Sequence, residues 1–124
     1  MLVFSTFATE RMEPREADRL YGPLSIVAKN MSCEYLEQAF ARAGFHTVLR
    51  EEIGAELIEF YEERDGRASR ELMRLARMMR MRSKWMAEWD ATRYEAVEAL
   101  YHWVIYQLLG KLSSAVYLLE KISA

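Results

Sequence analysis

Two hydrophobic periods alternate along this chain, and their order predicts its elements. Leu2 to Phe7 is a β-branched and aromatic run that predicts a short buried strand. Ala8 to Leu24 keeps neither period and is punctuated by Pro14 and Gly22-Pro23, so it is expected to be irregular. Ser32 is placed to cap a helix over Cys33 to Ala43, with Glu34 in its first turn. Tyr35, Leu36, Ala39, Phe40 and Ala43 recur at spacings of three and four and give that helix one apolar face. Gly44 ends it, and Phe45 to Leu49 predicts a second strand. Glu51 to Asp65 then predicts an acidic helix, Asp65-Gly66 a turn, and Arg67 to Lys84 a basic helix. A further helix is expected from near Thr92, because Thr92 and Glu95 have the spacing of a capping box. Tyr94, Val97, Tyr101, Val104, Ile105 and Leu108 line one of its sides, and Gly110 stops it. Ser114 to Ile122 predicts the last strand.

The pattern therefore reads strand, helix, strand, three helices, strand. That is an α/β class with a small sheet and a helical insertion over about residues 51–110. With 124 residues, 52% of them hydrophobic, the chain fits one domain, 1–124, with a real core. A strand that starts at the second residue is odd for a chain terminus, so a missing upstream segment is expected. A net charge of −2 gives no whole-chain argument for nucleic acid or an anionic membrane. The most apolar segment, Val97 to Leu109, is too short to span a membrane and carries Glu98 and His102. Cys33 is the only cysteine, so no internal disulfide forms. It is expected to act as a small buried hydrophobe, and the cytoplasm is the default location.

Here the residues resemble a known family, the class I S-adenosylmethionine-dependent methyltransferases. Met1 to Phe7 resembles the family's fifth strand. Tyr35-Leu36-Glu37-Gln38-Ala39-Phe40-Ala41-Arg42-Ala43-Gly44-Phe45 resembles the helix leading into the sixth strand, with its Ala-Gly-Phe ending. Ser114 to Lys121 resembles the seventh strand, which in the family inserts antiparallel between the fifth and sixth. The segment between resembles the helical insertion of small-molecule methyltransferases. Within it, His102-Trp103-Val104-Ile105-Tyr106 is distantly similar to the Trp-containing segment of sarcosine and dimethylglycine methyltransferases. The resemblance implies a partial Rossmann-like fold: a three-stranded mixed sheet in the order first, last, middle, with the last strand antiparallel.

It also implies S-adenosylmethionine as the parent family's cofactor and a small-molecule methyl acceptor. The family holds the cofactor with a glycine-rich loop after its first strand and an acid ending its second. This chain has five glycines, Gly22, Gly44, Gly54, Gly66 and Gly110, and no two are close enough for such a loop. The chain alone is therefore expected to bind no cofactor and to be inactive.

The residues expected on the substrate side are His102, Trp103, Tyr106, Tyr101 and Trp89. His102 reads either as a general base in an acceptor pocket or as a helix histidine bonded locally. Trp85, Trp89, Tyr101, Trp103 and Tyr106 read either as an aromatic cage for a methylated amine or as ordinary helix packing. Met73, Met78, Met79, Met81 and Met86 read either as core filling or as an adaptable binding face. His46 and His102 are far apart and have no cysteine at metal spacing, so no metal site is expected.

Two other readings compete. The outer edge of the first strand invites pairing with another chain, so a non-catalytic module with a homodimeric partner, or a missing N-terminal half, is expected there. The stripe Arg67, Arg70, Arg74, Arg77 admits a basic-helix nucleic-acid binder. The near-neutral total and the adjacent acidic helix argue instead for an antiparallel helix pair with cross-helix ion pairs, and for no nucleic-acid partner.

Overall fold

The computed structural model describes residues 1–122. The elements run in the order β1 (Leu2–Ala8), α1 (Pro14–Tyr21), a 3-10 turn (Ala28–Met31), α2 (Cys33–Arg42) and β2 (Phe45–Gly54). Then come α3 (Glu56–Asp65), α4 (Arg67–Arg80), α5 (Arg82–Glu88), α6 (Ala91–Leu108) and β3 (Leu112–Lys121). The sheet has the order β1-β3-β2, the first-last-middle order expected. β3 runs antiparallel to both neighbours, so every pairing is antiparallel and the sheet is not mixed. β1 and β2 point the same way, but β3 separates them, and no parallel pair remains.

Local chemistry explains where the pattern misled. Pro14 does not break structure; it occupies the first turn of α1, where its missing N–H costs nothing. Glu13 and Glu16 close a reciprocal capping box around it. β2 continues through Arg50, Glu51 and Glu52 to Gly54, so the acidic helix begins only at Glu56. An edge strand exposes one side to water and tolerates such charges. The basic stretch forms two helices that part at Met81. In α6 the cap is Asp90, not Thr92: its carboxylate accepts the Arg93 backbone N–H at 2.8 Å. An acid there also suits the positive end of the helix dipole. Ser32 caps α2 as expected, accepting from the Tyr35 N–H at 3.3 Å. Cross-helix ion pairing between α3 and α4 is confined to the turn. Asp65 meets Arg67 and Arg70 there, whereas Arg74 pairs with Glu71 of its own helix.

Strand alternation sorts the core onto two faces of the sheet. On one face Phe7, Ala115, Tyr117 and Leu119 pack with Leu36 and Phe40 of α2. Phe7 and Phe40 both meet the Tyr117 ring edge-on, at 6.3 and 5.3 Å between centroids. The Tyr117 hydroxyl donates to the Glu37 carboxylate at 2.9 Å, and Arg50 donates to both. Cys33 is half-buried at this network and donates its thiol to Glu37 at 3.3 Å, a more polar setting than expected. On the other face Leu112 joins Leu20, Met31, Ala99 and Tyr106, so α1 and α6 cover only the end where β3 starts.

A buried polar group fixes that cover. Gln107 of α6 donates its amide to the Gly54 carbonyl at 2.9 Å and to the Ser114 hydroxyl at 2.6 Å. Ser114 also shares a hydrogen bond with Thr6 at 2.8 Å. One amide therefore ties the helical layer to all three strands. Replacing it with a near-isosteric apolar side chain leaves a buried carbonyl and hydroxyl without that donor. We expect Gln107→Leu to cost about 1–3 kcal/mol in urea unfolding, with the fold retained by far-UV circular dichroism.

Candidate functional site

β1 and β2 both finish at the end of the sheet where β3 starts. Two anchors bring α1 across that end. Thr9 donates its backbone N–H to the Lys111 carbonyl at 3.0 Å. Lys111 also pairs with Glu16 at 2.5 Å, and that hydrogen bond holds the Glu16 carboxyl below the usual range. The last turn of α1 then presents Arg19 to α6.

His102 lies on the buried side of α6, 5% exposed. Its Nδ1 lies 2.9 Å from the Glu98 carbonyl, one turn back, and must donate its proton there. The Nε2 lone pair then faces the Arg19 guanidinium at 3.4 Å. Arg19 also donates to the Tyr106 hydroxyl at 2.8 Å. Burial, with Arg19 adding repulsion, pushes the imidazole pKa below its ordinary 6.5 against the opposing pull of the Glu98 carbonyl. The ring is therefore neutral at pH 7, with the tautomer set by Glu98.

Outside this cluster a cleft of about 390 Å³ opens between α1, α5 and α6. Its walls carry Arg15, Asp18, Arg19, Arg82, Glu95 and Glu98. None of the six forms an ion pair among the described residues. The cleft thus offers both signs of charge to a small polar molecule. Arg19 connects it to His102 and Tyr106.

The structure divides the five expected site residues between two places. His102 and Tyr106, one turn apart, share a face with ring centroids 5.5 Å apart. Trp103 is half-buried against the Leu20–Tyr106 core. Tyr101 and Trp89 sit together on the far side of α6, in a pocket of about 150 Å³ with Trp85, Arg74 and Arg77. The Trp85 and Trp89 rings are 4.9 Å apart, and Arg93 already lies over Trp89 at 4.8 Å. A cationic guest there would meet guanidinium groups as well as aromatic faces. Sequence reasoning missed Arg19, because its segment was expected to be irregular. The Glu13-Pro14-x-Glu16 pattern was the signal for a helix start.

Among the described residues, no three His, Cys, Asp or Glu side chains are placed to hold a metal ion. None of the described helices is long and apolar enough to cross a membrane. The five glycines lie apart, Gly54 at the end of β2 and the other four in separate turns, and Gly54 has no second glycine beside it. These residues do not fit a glycine-lined cradle for S-adenosylmethionine. No protein-family model matches the chain, and no curated protein matches it in sequence.

The His102 environment has a measurable consequence. The folded state holds the imidazole neutral to a lower pH than the unfolded chain does, so acid favours unfolding. Stability should be full above about pH 6.5 and fall as pH drops from there through the lower folded pKa. In ring-proton NMR titrations, Arg19→Gln should raise the His102 pKa by removing the facing positive charge. An unchanged or lower value would contradict the assigned contact.

Proposed function

We propose that this chain is the substrate-side portion of an S-adenosylmethionine-dependent small-molecule methyltransferase, with a partial Rossmann-like fold and the methyl donor held elsewhere. The observation that carries this reading is the strand arrangement. β3, last in sequence, lies between β1 and β2 and opposes both. α2 joins the outer two strands, and α3 to α6 fill the interval before β3. That is the arrangement of the fifth, sixth and seventh strands in the family that the sequence resembles.

The two sheet edges support the same reading. β2, which corresponds to the end strand of the family's sheet, carries His46, Arg50, Glu51 and Glu52 and has two register irregularities. Charges and bulges are how a free edge is kept from pairing. β1, whose outer side receives the family's fourth strand, has no charged side chain. On one sheet face Leu2 and Phe4 of β1, Leu118 of β3 and Leu49 of β2 form an exposed apolar patch that crosses all three strands. In a larger sheet of the family's kind, which is mostly parallel, both faces would be covered, and a further layer would fit over this patch. The second-strand acid and the glycine-rich loop would belong to that further portion, whichever chain supplies it.

On this reading the chain's own residues act on the acceptor. The donor supplies an electrophilic methyl group, whose transfer depends mostly on proximity and orientation. The mixed-charge cleft and Arg19 would hold a small acceptor, and neutral His102 and Tyr106 would fix the Arg19 guanidinium from behind.

The coding sequence immediately upstream of Met1, with calorimetry, tests this. We expect a frame encoding a strand and a glycine-rich turn, and S-adenosylmethionine binding by the chain co-produced with that segment but not by the chain alone. Micromolar binding of S-adenosylmethionine by the chain alone would overturn the proposal, as would no binding by the chain co-produced with a segment that carries the glycine-rich loop.

A further inference from the structure

Three elements converge on the side of α6 away from His102. From α4, Arg74, Arg77 and Met78 recur at spacings of three and four and share one face. Trp85 of α5 and Trp89 at its end stand one turn apart, as do Val97 and Tyr101 of α6. Together they line the pocket of about 150 Å³. At about 100° per residue, Val97 and Tyr101 point opposite to Glu95, Glu98 and Ala99. This pocket and the mixed-charge cleft therefore open on different sides of α6.

The lining combines two chemistries. Met78, 6% exposed, and Val97 supply apolar surface. The Trp85 and Trp89 rings, tilted by 43°, and Tyr101 supply aromatic surface. A cavity of this size takes a ligand of about one benzene ring. The polar groups are hydrogen-bond donors almost throughout. Arg74 and Arg77 are a like-charge pair one turn apart and repel each other. Arg77 has no ion-pair partner among the described residues, and Arg74 reaches only Glu71 of its own helix, at 3.9 Å. Both arginines also line an adjoining cleft of about 290 Å³ with Arg70, and no aspartate or glutamate lines either space. The Trp85 indole N–H is buried and has no hydrogen-bond partner among the described residues. A buried donor left unmade is costly, so it calls for an acceptor.

We propose that this pocket binds a small aromatic carboxylate, with its ring among Trp85, Trp89 and Tyr101 and its carboxylate at Arg74 and Arg77. A carboxylate accepts charge-assisted hydrogen bonds from guanidinium groups and keeps lone pairs for the Trp85 N–H. It also relieves the repulsion between the two arginines. The ring takes the aromatic and apolar lining out of water. An amine of the same size would meet the two guanidinium groups and offer the indole N–H no acceptor. The pocket shares no lining residue with the mixed-charge cleft, so it stands whether or not the methyltransferase reading does.

Titration of the full chain with benzoate tests this, read by NMR at the indole N–H signals of its three tryptophans. Benzoate should move the Trp85 and Trp89 signals and leave that of Trp103 in place. Benzamide and benzylamine lack the negative charge and acetate lacks the ring, so each should bind at least about tenfold more weakly. Arg74→Gln with Arg77→Gln should weaken benzoate at least about tenfold, with circular dichroism confirming the fold. Trp85→Phe keeps a ring but removes the donor, and should weaken benzoate about fivefold or more. Arg15→Gln, in the mixed-charge cleft, should leave benzoate binding unchanged. An unmoved Trp85 signal at millimolar benzoate would rule the ligand class out. So would benzylamine or acetate binding as tightly as benzoate, or a benzoate affinity that survives the loss of both arginines.

Discussion

The amide of Gln107 holds the two halves of this molecule in register. It is buried, and its two hydrogen bonds reach the last residue of β2 and a hydroxyl near the start of β3. Ser114 passes the connection on to Thr6 of β1. Apolar packing alone would let a helix slide along a sheet at small cost, because it is not directional. A buried amide cannot slide, since each unmade bond exposes a polar group to an apolar setting. The position of α6, and with it His102 and the cleft, follows from that tether.

Polar burial recurs at the opposite face with the same logic. Tyr117 is wholly buried, yet its hydroxyl reaches Glu37 and Arg50 at the margin of α2. Burial pushes the phenol pKa up, and a neutral phenol is the form that donates to a carboxylate. For Glu37, burial opposes ionisation, but the bonds from Tyr117, Cys33 and Arg50 outweigh it and keep the carboxyl below its usual range. The sheet is thus clamped on both faces by hydrogen-bonded groups that also specify which helix packs where. What it leaves uncovered is the apolar patch of Leu2, Phe4, Leu49 and Leu118 on one sheet face, together with the groove lined by Leu72, Ile105, Leu108 and Leu109.

Much of this was legible in the residues. The apolar periods located all three strands, α2 and α6, and the resemblance gave the strand order. The charged end of β2 and the proline-headed helix α1 were not legible. Arg50-Glu51-Glu52 has helical composition, but pairing with β3 outweighs propensity at an edge. α1 was hidden because proline reads as a breaker unless its position in the first turn is recognised. Thr92 offered a sound cap, and the neighbouring Asp90 was better placed for the dipole. His102 and Tyr106 could be paired by their spacing, whereas their partner Arg19 lies 83 residues from His102.

The sequence by itself determined the local quantities: periodicity, caps, turns and the segregation of acid from base along α3 and α4. These depend on neighbours within a turn or two. Only the tertiary structure decided which groups meet across long intervals. It separated Tyr101 and Trp89 from His102, brought Arg19 to the imidazole, and left the hairpin charges largely unpaired. The reason is geometric. Adjacent residues on a helix point about 100° apart, so which neighbour each one finds depends on the packing around the helix.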